Sequence, residues 1–561
     1  MSVFISKPGL SRADLLDRKV QWLVELDLGS KRRVFLSRGA FDVPSIEHGE
    51  FSTYPGLGKI RYTDEVDFFG IGKTNLSFKV SALLPIDVVD LISKGLNLTT
   101  VRCSISRWVE GSDYGDRVVL IANARIRDPS YGDKDEAISF GVRTTYTDDV
   151  TIIPPRDSML SEFTYDVSVA GRTSKRRMYG QPYPWVIGQP GFSDSDHHSF
   201  ASRALLYDKG PAAPTTLSPK WIVAGHEVTP GSTVVIMDTE DRNRTDTLSV
   251  TQTTDDLGQT ISIVSVTLPS NTLTDADFDT EYLVKWITGG GVPNRKRTAP
   301  IRGGGDLLEY FINQADDMTI DRGRLNAAKR VLNQFRFDFS IDSTEEIWSI
   351  IKNHLLAYLP ATLAVSGDGI YPIAWNRELR NTDAVASIDV SRDQWERTSM
   401  VDLEFLNREP ANNFSMSYAK RFLSGNWAKL ARVSGSFLGD ANAQVNENDS
   451  ESLYCRQSRT RYGEKDKSTE AASIYDSSTA FQVLSFWSRI YTLPAFSVEY
   501  VAPHEWGWLR AGSVVEFTDT DVGFTDQVAI VQAIEWSDDG LIGVRLTWVE
   551  DLPRDSRSFG T

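Results

Sequence analysis

From residue 20 to about 150, apolar and polar residues alternate with a period of two, the signature of strands with one buried face. "VQWLVELDLGSKRRVFLSR" is two such runs around Gly29-Ser30, a glycine-first pair suited to a hairpin turn. "TNLSFKVSALL", "RVVLIANARIRD" and "AISFGVRTT" continue the alternation, and one short helix interrupts it, "PIDVVDLISKG", opened by Pro85 and closed by Gly95. This predicts a β-barrel or sandwich over residues 1–150. Residues 151–191 carry no period and crowd Pro and Gly near their end, so they read as a connector. Within residues 192–300, the Thr/Val/Ile runs "STVVIMD", "TDTLSVTQT", "TISIVSVTL" and "TEYLVKWI" predict an inserted all-β module. "GGGVPNRKR" and "RGGGD" then bracket a flexible joint.

The period changes over residues 301–380. "DLLEYFINQADD" and "RLNAAKRVLNQF" are amphipathic helices, and "STEEIWSIIKNHLLAYLP" offers Ser343 and Glu346 at capping-box spacing. Ile347, Ile350, Ile351, Leu355 and Leu359 recur at helical spacing, and Pro360 stops the helix. Residues 381–475 return to strands, such as "SMVDLEFLNR" and "NNFSMSYAKR", and their polar part from 440 onward reads as a long loop. Residues 476–561 start with the helix "SSTAFQVLSFWSRIYTLP" and end in strands, among them "FSVEYVA", "GSVVEFTD", "QVAIVQAIEWS" and "IGVRLTWVED". The strand–turn–strand from Val118 to Val142 is echoed from Val528 to Leu546, which suggests related β units at the two ends of the chain. The fold class is mainly β and multidomain, with a small helical region.

Composition narrows the function. The chain has 561 residues, enough for several cores, and its hydrophobic and charged shares, 40% and 24%, are those of globular protein. A net charge of -16 opposes general nucleic-acid binding, which needs clustered Lys and Arg, and suits a surface past which DNA slides without sticking. The two cysteines, Cys103 and Cys455, make neither a disulfide framework nor a zinc site. The opening "MSVFISKPGLSRAD" lacks a secretory pattern, and "IWSIIKNHLLAYL" is too short and polar to span a bilayer. A soluble protein made in the cytoplasm is the expectation.

Each candidate motif has a plainer explanation. "GIGKTN" holds Gly72, Lys73 and Thr74 like the tail of a phosphate loop, but Asp67 stands where the leading glycine belongs and a strand-like run follows. Asp194, Asp196, His197 and His198 in "SDSDHHS" have metal-binding side chains, yet adjacent histidines diverge, and a solvated loop explains them. No G-x-S-x-G elbow is present. The six histidines are His48, His197, His198, His226, His354 and His504. His354 lies on an apolar helix, and Cys103 in an alternating strand. Carboxylate pairs are too numerous to single any out. No catalytic, cofactor-binding or metal-binding residue is therefore assigned, and no cofactor is expected. "SKRRMYGQPYPWVIGQPG", residues 174–191, sets Lys175, Arg176 and Arg177 beside Tyr179, Tyr183 and Trp185. Such a set could stack single-stranded nucleic acid, but the acidic background and Pro182 and Pro184 favour an architectural joint.

Three segments together resemble the hub proteins at the tail tip or baseplate of tailed bacteriophages. They are "RMYGQPYPWVIG"; the run from "GGGDLLEYFINQ" through "DGIYPIAW"; and "LRAGSVVEFTDTDVGFTDQVAIVQAIEWSDDGLIGVRLTWVED". The resemblance covers about half the chain. It implies two tube-like β-barrels plus peripheral modules, and a homotrimer whose six barrels ring the tail tube. It also implies partners among distal tube proteins and a central spike, fibre or tape-measure protein. DNA would pass without specific binding, and the 192–300 module has room for host-surface contact. The expected role is structural and not enzymatic: a virion component, assembled in the host cytoplasm, that closes the tube and opens for genome ejection. The alternatives are a virion-borne hydrolase of cell-wall glycan and a carbohydrate-binding adhesin acting through residues 215–288.

Overall fold

The computed structural model describes residues 20–549 except 30–31, 47–48, 67–74, 132–136, 144–150, 156–180, 191–201, 209–215, 238–244, 256, 270–281, 316–318, 367–368, 375–383, 405–408, 421–424, 436–448, 504–505 and 537–540. Strands dominate, gathered in several sheets, so the mainly-β, multidomain class is the one observed.

The largest sheet has fourteen strands and draws on both ends of the chain. Its N-terminal part runs Arg33–Leu36, Val20–Asp27, Arg102–Val109, Val118–Tyr131, Ala137–Arg143, Asn75–Leu83, Leu57–Glu65. The first two form the expected hairpin, with Gly29 at φ 78 in the turn, where a side chain would be strained. The part curls back on itself: Tyr54 N–H donates to Phe35 O, and Leu57 N–H donates to Ser37 O, so the last strand's start meets the first strand's end. Alternate residues such as Val24, Leu26, Ile105, Phe78 and Val80 fill the interior. The short helix is found at Ile86–Ser93.

The C-terminal part follows the same plan. Phe524–Trp536 pairs with Ile542–Val549, which pairs with Ala495–Ala502. On its other edge the first half of Phe524–Trp536 takes Val514–Asp519, which holds Ala386–Asp389 in parallel. The chain from there to Glu396–Arg397 rejoins Ala495–Ala502, which nearly closes a second, smaller barrel.

The inserted module is a third closed unit. The four predicted runs are strands, and two unpredicted ones join them, Ser202–Asp208 and Lys220–Ala224. Those two show no alternation because "WIVA" (Trp221–Ala224) and "ALL" (Ala204–Leu206) are continuous apolar runs, buried on both sides of the strand. The segment 248–254 pairs with Thr233–Met237 at its start and with Thr260–Ser265 at its end, so it closes the seven-stranded sheet into a barrel.

Between these units lies a helical layer. Helices Gly304–Gln314, Arg322–Leu332 and Ser477–Ile490 pack with the hairpin Ala361–Ser366/Gly369–Ala374 and a four-stranded sheet around one large core. All five apolar residues predicted for the helix in "STEEIWSIIKNHLLAYLP" (Ile347, Ile350, Ile351, Leu355 and Leu359) are in that core. Its start differs from expectation. Glu345–Glu346 is extended and pairs with Ile152–Ile153, so the helix begins at Ile347 with no side-chain cap, and from Ile351 to Leu356 it widens to a π-helix. Strand pairing there overrides the capping box. The polar loop is also corrected. Its described part from Asp449 holds a short strand, the helix Leu453–Tyr462 and the strand Asp466–Ala471. That helix buries little besides Cys455 and Ser458, too narrow a stripe to show as a hydrophobic period.

Candidate functional site

Two places carry the architecture. The first is the seam between the terminal barrels. The end of Leu57–Glu65 leaves its own barrel and pairs with the end of Phe524–Trp536, matching Tyr62 with Trp536, Asp64 with Ile534 and Glu65 with Ala533. Each of the two strands thus forks, its start closing its own barrel and its end reaching into the other. The strands that meet at the seam are Leu57–Glu65 and Phe524–Trp536, and the echoed hairpin Val118–Val142 lies elsewhere in the N-terminal part of the sheet.

A buried polar cluster fastens this seam. Arg510 donates to Tyr62 Oη and lies 3.7 Å from the Asp64 carboxylate. Tyr62 Oη donates to Asp64 at 3.0 Å, and Ala511 N–H reaches the same carboxylate at 3.3 Å. Burial pushes the Asp64 carboxyl up, against the pull of Arg510 and these hydrogen bonds. Arg107 from the N-terminal barrel donates to Gly507 O at 3.0 Å and lies 3.7 Å over the Trp536 ring. Burial brings its guanidinium down to about 9, so it remains a cation at neutral pH. Gly507 has no alternative here, because a Cβ would come within 1.9 Å of the Trp536 ring.

The second place is the joint around Trp185–Ile187. This strand pairs with Phe339–Ile341. Trp185 and Ile187 enter the helical-layer core, whereas Tyr183 and Val186 enter the core of the inserted barrel. One short stretch therefore staples two cores: within the strand, alternation turns Val186 away from Trp185 and Ile187, and Tyr183 joins Val186's core from outside the strand, ahead of Pro184. His226 completes the staple. Its Nε2 accepts from Val186 N–H at 2.9 Å, and its Nδ1 lies 2.8 Å from Glu227 O, so Nδ1 carries the proton. Burial lowers its pKa to about 4, with the Glu227 carbonyl pulling the other way. Next to it, Arg302 grips the fully buried Asp338 through two 2.7 Å bonds, and Asp338 accepts from Gln189 N–H at 2.7 Å. Gly188 at φ +67 and Gly290 at φ +127 let the entering and returning chains touch there.

The remaining motif residues are quickly placed. Of the 174–191 stretch, Pro182, Tyr183, Pro184 and Trp185 lie in this joint, and Lys175, Arg176, Arg177 and Tyr179 lie outside the described residues. Also outside are Asp67, Gly72, Lys73, Thr74, Asp194, Asp196, His48, His197, His198 and His504, although the run after Thr74 is the strand Asn75–Leu83. Cys103 and Cys455 are buried thiols, both raised by burial, Cys455 to about 12. His354 stacks on Phe339, with ring centroids 4.6 Å apart. Among the described residues, no group of three or more His, Cys, Asp or Glu could hold a metal ion. No described helix is long and apolar enough to cross a membrane. Sequence reasoning missed Asp64, Arg107, Gly507 and Arg510 because their partners are hundreds of residues away. The only local signal was the aperiodic Trp/Gly run "WGWLRAG".

No protein-family model matches the chain, and no curated protein matches it either. Among solved structures, the 43 kDa tail protein of prophage MuSo2 from Shewanella oneidensis aligns over 94% of this chain and 98% of its own, at 10% identity and a TM-score of 0.36. A chain of the virion of a native gene transfer agent aligns over 69% of this chain and 91% of its own, at 12% identity and a TM-score of 0.35. A prophage tail protein from Listeria monocytogenes EGD-e aligns over 94% of each chain, at 6% identity and a TM-score of 0.30.

Proposed function

We propose that this chain is a structural protein of a bacteriophage tail, acting as the hub of the tail tip or baseplate. The observation that carries the reading is the seam. Two small barrels from opposite ends of one chain are joined edge to edge by forked strands, so each copy supplies a double-width wall segment. Three copies around an axis make a ring of six barrels, which matches a six-fold tube. The segments that resemble hub proteins support it, because they supply the joint, the helical layer and the closing strands of the second barrel. In this reading the protein does mechanical work and no bond chemistry. The ring closes the distal tube, anchors a central spike, fibre or tape-measure protein, and opens for ejection. The net charge of -16 keeps DNA from sticking as it passes. The inserted barrel faces outward, toward other tail proteins or the host surface.

Electron microscopy of the purified chain and of particles containing it tests this. A three-fold ring of double barrels continuous with a tube is expected. A monomer in the particle-free state together with cleavage of cell-wall glycan would replace the reading with the hydrolase alternative.

A further inference from the structure

The segment 182–187 is not a strand of the inserted barrel's seven-stranded sheet, yet it lies between that barrel and the helical layer. On the barrel side, Gly225 N–H donates to Pro184 O at 2.8 Å and Val186 N–H donates to His226 Nε2 at 2.9 Å. On the other side, Trp185–Ile187 pairs with Phe339–Ile341. His226 belongs to the barrel, since its carbonyl accepts from Ser262 Oγ at 2.7 Å on the strand Thr260–Ser265.

Geometry holds the ring in one protonation state. A donor faces Nε2 and the Glu227 carbonyl faces Nδ1 at 2.8 Å, so a second ring proton would set N–H against N–H. The Trp185 ring, with centroids 4.7 Å apart, pulls the other way by favouring an imidazolium. The surrounding acids are committed elsewhere: Glu227 to Arg297 at 3.0 Å, Asp255 to Tyr183 Oη at 3.0 Å, and Asp338 to Arg302 and Gln189 N–H, both at 2.7 Å. Across Trp185, Tyr310 Oη accepts from Trp185 Nε1 at 3.1 Å. Among the described residues no carboxylate pairs with His226. Burial adds to the effect of the facing donor and lowers the ring's pKa to about 4.

We propose that the contact between His226 and Val186 is an acid-sensitive latch that releases the inserted barrel from the segment 182–187 without unfolding the barrel. A proton taken up at Nε2 ends the bond to Val186 N–H. The barrel keeps its own core, with Trp221, Val234, Val284 and Trp286, and stays connected through Gly188 and Gly290. Release draws Tyr183 and Val186 out of that core, so the open form is a minor population even in acid. The docked ring refuses a proton that the released ring accepts. Docking is therefore strongest above about pH 6.5 and weakens as the pH falls toward 4.

Hydrogen exchange of the full chain at pH 7 and pH 5, read by mass spectrometry with electron-transfer fragmentation and corrected for intrinsic exchange, tests this. In the wild type the Val186 and Gly225 amides should open about twentyfold more at pH 5 than at pH 7. Amides of the barrel strands Thr233–Met237 and Tyr282–Thr288 should keep their protection. His226→Gln keeps an acceptor for Val186 N–H and takes up no proton, so its joint amides should not respond to pH. An equal response in this variant would overturn the proposal. Two wild-type results would overturn it without any variant: unchanged protection of Val186 and Gly225 at pH 5, or loss of protection there in step with the two barrel strands.

Discussion

At the scale of single residues, His226 shows how a neutral side chain can be structural. A donor faces its Nε2 and an acceptor faces its Nδ1, so only the neutral ring satisfies both. Its folded pKa, about 4, lies below the ordinary histidine value near 6.5. The unfolded chain then binds a proton that the folded chain refuses between those values. Its contribution is complete above about pH 6.5 and is lost as the pH falls toward 4. From pH 7 to 4.5 the loss at this one site is roughly 2–3 kcal/mol. Urea unfolding of wild type and His226→Gln at both pH values measures it. The wild type should lose that much more stability than the variant, and equal slopes would assign the acid sensitivity to other groups. Little of this was legible in the sequence. His226 is one of six histidines, and its partner Val186 is 40 residues away on a strand of only three residues. The apolar character of Tyr183, Trp185 and Ile187 was visible, but not their division between two cores.

At the scale of elements, legibility followed how each element is stabilised. Hairpins and helices whose apolar stripe faces a single core could be read directly, such as Ser477–Ile490 with Val483, Leu484 and Trp487 buried. Elements fixed by tertiary pairing could not. Glu345–Glu346 became a strand because Ile152–Ile153 lies beside it, and Leu453–Tyr462 became a helix with barely a buried face. Local chemistry still decides where the well-read elements begin. Asp476 caps Ser477–Ile490 by accepting from Thr479 N–H and Thr479 Oγ1, both at 2.9 Å. Thr479 is fully buried, and its hydroxyl oxygen also accepts from Arg336 N–H at 3.0 Å, so the cap fixes a neighbouring loop as well. Asp476→Ala should therefore cost about 1–2 kcal/mol, the upper part of the range for a lost N-cap. Asp476→Asn should recover most of that in thermal or urea unfolding. A loss below a few tenths of a kcal/mol for Asp476→Ala would show that the helix needs no cap once its core face is packed.

At the scale of the whole molecule, the chain has one dispensable barrel and two interdependent ones. The inserted barrel has its own core, and its entry and exit meet where Gly290 lies against Gly188. The terminal barrels instead share a single core, in which Tyr62 and Phe78 from one end pack with Ile534 and Trp536 from the other. They also share the Arg107, Asp64 and Arg510 cluster. Two deletions should therefore behave oppositely. Joining Pro190 to Gly289, which removes residues 191–288, bares Tyr183 and Val186, each worth roughly 2 kcal/mol of burial. The rest should remain soluble, keep its near-ultraviolet circular dichroism and unfold cooperatively at lower urea. Removing residues 1–155 cuts only at the margin of the chain, yet it strips the partner from the end of Phe524–Trp536. It leaves an unpaired strand edge with Trp536 uncovered and Arg510 without Tyr62 and Asp64. Such an edge pairs with other chains, so this product should precipitate or elute as aggregate. A soluble, folded chain after the terminal deletion would show that the two barrels fold independently, and would turn the forked seam from a condition of folding into a contact between finished domains.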